Sequence, residues 1–305
     1  MSWFFLALIG PFLYALTNYI DKIILEKFFK TGGVSTIILI SSLLSVFVLP
    51  VLFWADPTAF SMPIVDIIVL AIVGVLNILL LWCYLLALRD EEASVAIVFY
   101  QLVPVIGLVL GYFILGETLT QVQLIAMAII ILGTTTISFE VDTENHFTLR
   151  RRTIALMLAA SFFWALESVL FKAVALEENV LRSLFWEHLM LVVVGIGIFA
   201  CVRSYRTHFL SAMRSNSKAI LLLSATNEGL YILANFVFAF AYMLAPVSLV
   251  LLTNSFQPIF VLAIGVFLTV FFPHIATEKI QAKHLWQKGL AIGITGIGTY
   301  LLLSS

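Results

Sequence analysis

The residues best placed for chemistry are acids set inside long apolar stretches. Glu228 lies in the run Thr226-Asn227-Glu228-Gly229-Leu230-Tyr231, with Tyr231 and Asn235 three and seven positions on. That spacing puts the three on one face of a helix. A carboxylate flanked by an aromatic ring and by the amides of Asn227 and Asn235 suits a cation or a proton. Glu167 shares a face with Trp164 and Phe171 in another stretch, and Tyr14, Asn18 and Asp21 share a face in a third. Gln101, Asn254 and Gln257 add amides on two more. The rings could supply cation–π contacts, although with 26 phenylalanines an aromatic neighbour is common and more often packing than a cage.

Composition identifies the medium that must position these groups. Of the residues, 62% are hydrophobic and 11% are charged, and mean hydropathy is +1.13, against roughly 25% charged in a soluble domain. Predominantly apolar runs fall at about residues 2–20, 33–54, 64–88, 93–115, 122–139, 152–174, 181–203, 218–243, 247–271 and 285–303. Each has the length of a membrane-crossing helix, and hydrocarbon leaves backbone amides no other way to be satisfied than helix or closed barrel. The runs lack the alternation of a barrel. An all-α integral membrane protein with ten transmembrane helices is expected, the first of them at the amino terminus rather than a cleaved leader. In that medium an acid at mid-helix costs about 2.5–3.5 kcal/mol on insertion scales, which makes Glu228 and Glu167 functional candidates.

The chain also repeats itself. FLYALTNYIDK at 12–22 returns as FFWALESVLFK at 162–172, and Ala87 onward matches Ala241 onward, pairing Ser94 with Ser248, Pro104 with Pro258 and Gly111 with Gly265. A period near 150 residues is a duplicated domain and not a solenoid unit. Residues 1–139 form the first five-helix repeat, 140–152 the connection and 153–305 the second, which carries about eleven extra residues around Phe272 to Gln281. An odd helix count per repeat makes the second copy enter from the opposite side, giving inverted repeats with a site near the midplane. Of 16 Lys and Arg, 14 border the connections after the odd-numbered helices, so the positive-inside rule places both termini outside.

The segment Ala87 to Thr120, ALRDEEASVAIVFYQLVPVIGLVLGYFILGETLT, joins an Ala-Leu, an Ala-Ser, a proline ten residues on and a closing Leu-Gly-Glu. This pattern resembles the EamA branch of the drug/metabolite transporter superfamily. The second half repeats it less faithfully and departs at Leu268 to Phe272, where Leu-Gly-Glu should stand. The resemblance implies ten helices in two inverted sets of five, both termini inside, and transport as a class, with the substrate open.

These readings set the expectations. A secondary transporter would move a small cationic or zwitterionic metabolite by alternating access, coupled to protons through Glu228 and Glu167 if these share one cavity. Glu228, Tyr231, Asn235, Asn227, Glu167, Trp164, Tyr14, Asn18, Gln101, Asn254 and Gln257 would bind the substrate, with Pro104 and Pro258 as kinked hinges inside their helices. Asp21 is expected to pair with Lys22 at an interface, and Glu187 with Lys172 or Arg182. Glu117 reads as a helix cap or ion-pair partner, and Lys22 and Lys172 as snorkelling to opposite surfaces. Gly289, Gly293, Gly296 and Gly298, with Ala291, would form one close-packing face, used within the bundle or in a homodimer. Gly107 and Gly111 suggest a close crossing of the fourth and ninth helices. Cys83 and Cys201 read as packing residues. The partners are a small molecule and the bilayer of a plasma or inner membrane, with no cofactor, no metal and no nucleic acid. A membrane enzyme would need a metal-ligand cluster, Gly-x-Ser-x-Gly or a phosphate loop, and the chain has none. The alternatives are a flippase or exporter of an amphipathic or lipid-linked molecule, and a channel or non-transporting membrane protein.

Overall fold

The computed structural model describes residues 2–28, 33–90, 99–138, 151–271 and 282–304, and all regular elements among them are helical. Helix α1 is Ser2–Phe28, and α2 is Gly33–Ala55, which passes through a 3-10 turn at Ser45–Phe47. Next come α3 (Ile64–Asp90), α4 (Tyr100–Leu115) and α5 (Gln121–Ser138). The second half contributes α6 (Arg151–Glu177), α7 (Val180–Cys201), α8 (Arg203–Tyr242), α9 (Val247–Leu268) and α10 (Ala282–Ser304). Among the described residues seven helices, α1 to α3 and α6 to α9, are long and apolar enough to cross a membrane. Shorter apolar stretches form α4, α5 and the end of α10. The chain is a multi-pass integral membrane protein.

Two elements differ from the sequence expectation. The connection after α7 is itself helical: α8 starts at Arg203, one residue beyond α7, and runs 40 residues. At 1.5 Å per residue that is about 60 Å, twice a hydrocarbon core, so its polar first half extends a membrane helix without a break. Pro104 and Pro258 do not kink helix interiors. Each follows a 3-10 turn, Tyr100–Leu102 or Thr253–Phe256, and occupies the first turn of the α-helical segment after it. A first-turn proline forfeits no helical hydrogen bond, which is why it is tolerated there.

The packing recurs five helices on. α1 lies along α8 as α6 lies along α3; α3 packs on α7 as α8 packs on α2; α4 meets α6 as α9 meets α1; α4 crosses α9, and α5 pairs with α10. Side-chain bonds give helix directions. Along α1, Tyr14 bonds Asn235 and Asp21 bonds Asn227, so partners step backward on α8. Along α6, Ser168 meets Tyr242 and Lys172 meets Ala245, so partners step forward. α1 and α6 therefore run in opposite directions.

Glycines decide the closest approaches. A Cβ on Gly107 would lie 2.7 Å from Leu251 and one on Gly111 3.1 Å from Val247, so α4 and α9 cross as closely as expected. On α10 the small residues divide between two faces. Gly298 and Ala291 turn inward with Thr295, toward Ile130 and Gly133 of α5, whereas Gly289, Gly293 and Gly296 have open space beyond them. The single glycine face expected from sequence is absent because positions 291, 295 and 298 lie about half a turn away from 289, 293 and 296 at 3.6 residues per turn. A Cβ on Gly133 would come within 2.5 Å of Thr295 Oγ1 and 2.9 Å of the Thr295 backbone nitrogen. Backbone cannot step aside cheaply, so Gly133→Val is expected to destabilise the protein by about 1–3 kcal/mol or more. Thermal unfolding in detergent measures this, and an unchanged melting temperature would mean that α5 and α10 separate freely. Both cysteines are free, Cys83 buried and Cys201 exposed, so only Cys83 serves as packing.

Outside the spans, Arg182 ties the α2–α3 loop to the turn before α7. It donates to Glu178 at 2.6 Å and to Thr58 Oγ1 at 2.8 Å, and its Nε stands 3.5 Å from Asp56. A hydrogen bond from the Thr58 hydroxyl, with lesser help from the Thr58 amide and Arg182, holds Asp56 below its usual value. A depressed carboxylate stabilises the fold above its unfolded-state value and stops doing so as pH falls through the lowered one. The Thr58 amide, 3.0 Å from Asp56 Oδ1, is therefore expected to lose hydrogen-exchange protection only on that acid side. Loss already at neutral pH would contradict it.

Candidate functional site

Two cavities lie inside the bundle, on either side of a group of aromatic rings. The larger spans about 820 Å³ of empty space with its open mouth included. α1 contributes Tyr14, Thr17, Asn18 and Asp21 from one face, because these positions repeat at three and four residues. Ser41 comes from α2, Tyr84 from α3, Tyr100 from α4, Trp164 from α6, Asn227, Glu228 and Tyr231 from α8, and Gln257 from α9. Its polar groups are tied in pairs. Asn227 donates to Asp21 at 2.8 Å, Tyr84 donates to Asn18 at 3.0 Å, and Ser41 donates to Glu228. Asn77 donates to the Tyr231 hydroxyl at 3.2 Å.

The smaller cavity, of about 370 Å³, is lined by Glu167 and Ser168 of α6, Glu187 of α7, Asn235, Phe238 and Tyr242 of α8, and again by Tyr14 and Trp164. Tyr14 meets Trp164 edge-on at 5.6 Å and stacks on Phe238 at 5.8 Å, while Tyr100 meets Trp164 at 4.9 Å. The Tyr14 hydroxyl donates to Asn235 at 2.5 Å, which fixes its ring across the boundary. The two cavities correspond under the internal repeat. The alignment that pairs Phe12 with Phe162 also pairs Tyr14 with Trp164, Thr17 with Glu167, Asn18 with Ser168 and Asp21 with Phe171. The alignment that pairs Ala87 with Ala241 pairs Tyr84 with Phe238.

The candidate residues therefore divide. Tyr14 and Trp164 face both cavities, Asn18, Asn227, Glu228, Tyr231 and Gln257 the larger, and Glu167 and Asn235 the smaller. Glu228 and Glu167 do not share a cavity, because the tyrosine and tryptophan rings stand between them. Gln101 and Asn254 line neither. Gln101 accepts from Thr134 of α5 at 3.0 Å, and Asn254 is buried in the 3-10 turn that begins at Thr253.

Several pairings also differ from expectation. Asp21, expected at an interface, is 6% exposed, faces the larger cavity and accepts from Asn227. The side chain of Lys22 lies outside the described residues, as do Ser94, the connection 140–150 and the extra segment 272–281. Lys172 does not snorkel. It is 5% exposed and pairs with Glu117 at 2.5 Å while donating to the Ala245 carbonyl at 2.7 Å. Glu187 pairs with neither Lys172 nor Arg182, both of which have acids elsewhere. The role read for Glu117 is met twice over, since its Oε2 also accepts the Val247 amide at the start of α9 at 2.7 Å. Gly116, at φ +68°, ends α4 in the left-handed conformation and turns Glu117 back toward that crossing.

Residues missed by sequence reading are Ser41, Tyr84, Tyr100, Thr17 and Ser168. Ser41-Ser42 amid apolar neighbours was a usable signal for the first, since hydroxyls in hydrocarbon seek partners. The tyrosines carried no distinguishing signal among so many rings. In chemical terms each cavity holds two carboxyl groups, Asp21 with Glu228 and Glu167 with Glu187, and among the described residues no lysine, arginine or histidine lines either.

Comparisons agree with this architecture. One solved crystal structure superimposes over 99% of this chain and 97% of its own length, with a TM-score of 0.67 at 15% identity, and that likeness concerns the fold alone. No curated protein matches the sequence. The model of the EamA-like transporter family matches residues 1–139, the whole first half through the end of α5. Over that stretch, which includes the Leu-Gly-Glu turn and the α1 face of the larger cavity, this chain is similar to the EamA-like transporter family.

Proposed function

We propose that the chain is a secondary active transporter of ten membrane helices in two inverted five-helix repeats, 1–139 and 153–305. It moves a small cationic or zwitterionic metabolite, such as an amine, polyamine or amino acid, across a plasma or inner membrane. The observation that carries the substrate class is the pair of acids in the larger cavity, Asp21 and Glu228, set among several rings and amides, with no basic group among the described residues that line it. A cation entering it exchanges water for carboxylates and ring faces.

The inverted arrangement is supported by packing that recurs five helices on and by the opposite directions of α1 and α6. Alternating access is supported by the two repeat-related cavities of unequal size on either side of Tyr14 and Trp164. Rocking one repeat against the other would enlarge the smaller and collapse the larger, with the 3-10 junctions before Pro104 and Pro258 as the flexing points. Glu228 takes the coupling proton, so that its protonation releases the substrate, and Asp21 is the second acid of that cavity able to do so. A homodimer would use the outward face of α10, where Gly289, Gly293 and Gly296 leave open space.

The test is uptake into liposomes by the purified protein of radiolabelled amines, polyamines, amino acids, nucleosides and sugars, with and without an imposed pH gradient. Saturable, gradient-dependent uptake of a cation or zwitterion is the expected result. Silence across the panel from folded protein would replace this reading with that of an amphipathic substrate.

A further inference from the structure

The smaller cavity contains more oxygen than its neighbours need. Glu167 is 9% exposed, and its Oε2 has no hydrogen-bond partner although it is fully shielded. Glu187, 7% exposed, lines the same space from α7. A buried carboxylate without a partner is one of the least favourable groups a membrane protein can keep, and it persists where something supplies the missing charge. The nearest lysine on the same helix, Lys172, is committed to Glu117 at 2.5 Å and to the Ala245 carbonyl at 2.7 Å. His188, beside Glu187, turns its Nδ1 to the Leu184 carbonyl at 2.9 Å and its ring to Phe236.

Beside the indole nitrogen of Trp164 and the amide nitrogen of Asn235, the other polar groups of the cavity are oxygens. Asn235 presents Oδ1, which takes one bond from the Tyr14 hydroxyl and keeps a second lone pair. Ser168 Oγ donates to the Trp164 carbonyl at 2.8 Å and receives Tyr242 at 3.0 Å. From these groups we infer that the smaller cavity is a binding site for a hard metal cation, held by oxygen atoms from Glu167, Glu187 and Asn235 and by retained water. Hard cations choose such ligands, whereas soft ones need sulfur or imidazole, and the described residues lining this cavity offer neither. A proton would neutralise one acid but would not fill the space between Glu167, Glu187 and Asn235. The larger cavity differs on two counts: Thr17 stands where Glu167 does, and its own acids, Asp21 and Glu228, have donors in Asn227 and Ser41.

The site is separate from the substrate cavity and stands or falls independently of the transport reading, since binding needs no gradient. If transport occurs, the cation occupies the collapsed side and leaves when that side opens, which makes it a coupling ion.

The test uses purified protein in detergent at pH 8.5 and constant ionic strength, replacing choline chloride in turn by the chlorides of Na⁺, Mg²⁺ and Ca²⁺. One of the three is expected to raise the melting temperature by several degrees in a saturable manner, as a ligand of the native state does. Glu167→Gln and Glu187→Gln are expected to remove the rise. Equilibrium binding of ²²Na⁺ or ⁴⁵Ca²⁺ to the unmodified protein gives a second reading that does not depend on how the variants fold. No rise with any of the three ions and no bound ²²Na⁺ or ⁴⁵Ca²⁺, or a rise that survives in both variants, overturns the proposal. Bound cation without substrate uptake would sink the transport reading and leave this one intact, and the reverse result would do the opposite.

Discussion

Lys172→Met is expected to lower the stability of the protein by about 3–5 kcal/mol, the range found when one partner of a buried ion pair is removed. Lys172 is almost fully shielded, and Glu117 is nearly so, at 6% and 17% side-chain exposure. Without the ammonium, the carboxylate remains bonded to the Val247 amide at the start of α9 but loses its counter-charge. The Ala245 carbonyl loses its donor as well. Three elements separate together, since the pair joins the turn after α4, the end of α6 and the α8–α9 connection. The double variant Glu117→Gln with Lys172→Met removes both charges and is expected to recover part of the loss, because an unpaired charge is the main penalty. Thermal unfolding in detergent, monitored by tryptophan fluorescence, measures both. A single variant that melts within about 1 kcal/mol of the parent would show that water reaches the pair.

Glu228→Gln should cut pH-gradient-driven uptake at least thirtyfold and leave the fold intact. A buried charge that loses its partner costs about 2–5 kcal/mol, equivalent to a factor of roughly thirty to several thousand. The amide keeps the shape of the carboxyl and still accepts the Ser41 hydroxyl, so the packing of α2 on α8 is retained. What changes is the ability to carry a charge that a proton can cancel. Uptake in the liposome assay, beside a melting curve of the same preparation, separates the two effects. Uptake that stays at the parent level and still follows the gradient would remove Glu228 from coupling and transfer that task to Asp21, which shares the cavity.

The recurrence of 12–22 at 162–172 and the apolar runs were legible without coordinates, because duplication and hydropathy are properties of residue order. The Leu-Gly-Glu turn was equally legible, since only glycine takes a positive φ without strain and Gly116 does so. The faces of α1 and α8 followed from helical spacing, and Tyr14, Asn18 and Asp21 do line one cavity. The partners of Lys172 and Asp21 were not legible. Sequence offers neighbours such as Lys22 for Asp21, but the groups that meet them lie 55 and 206 positions away, at Glu117 and Asn227.

Residue order by itself determined that this chain is helical, lies in a membrane, repeats the motif of 12–22 at 162–172 and carries acids on buried helix faces. Each of those follows from local periodicity or from the free energy of placing a side chain in hydrocarbon. Only the tertiary structure decided that Glu228 and Glu167 occupy different cavities. That division rests on where the Tyr14 and Trp164 rings cross between α1 and α6, and the crossing is set by helix packing over distances that no local pattern encodes.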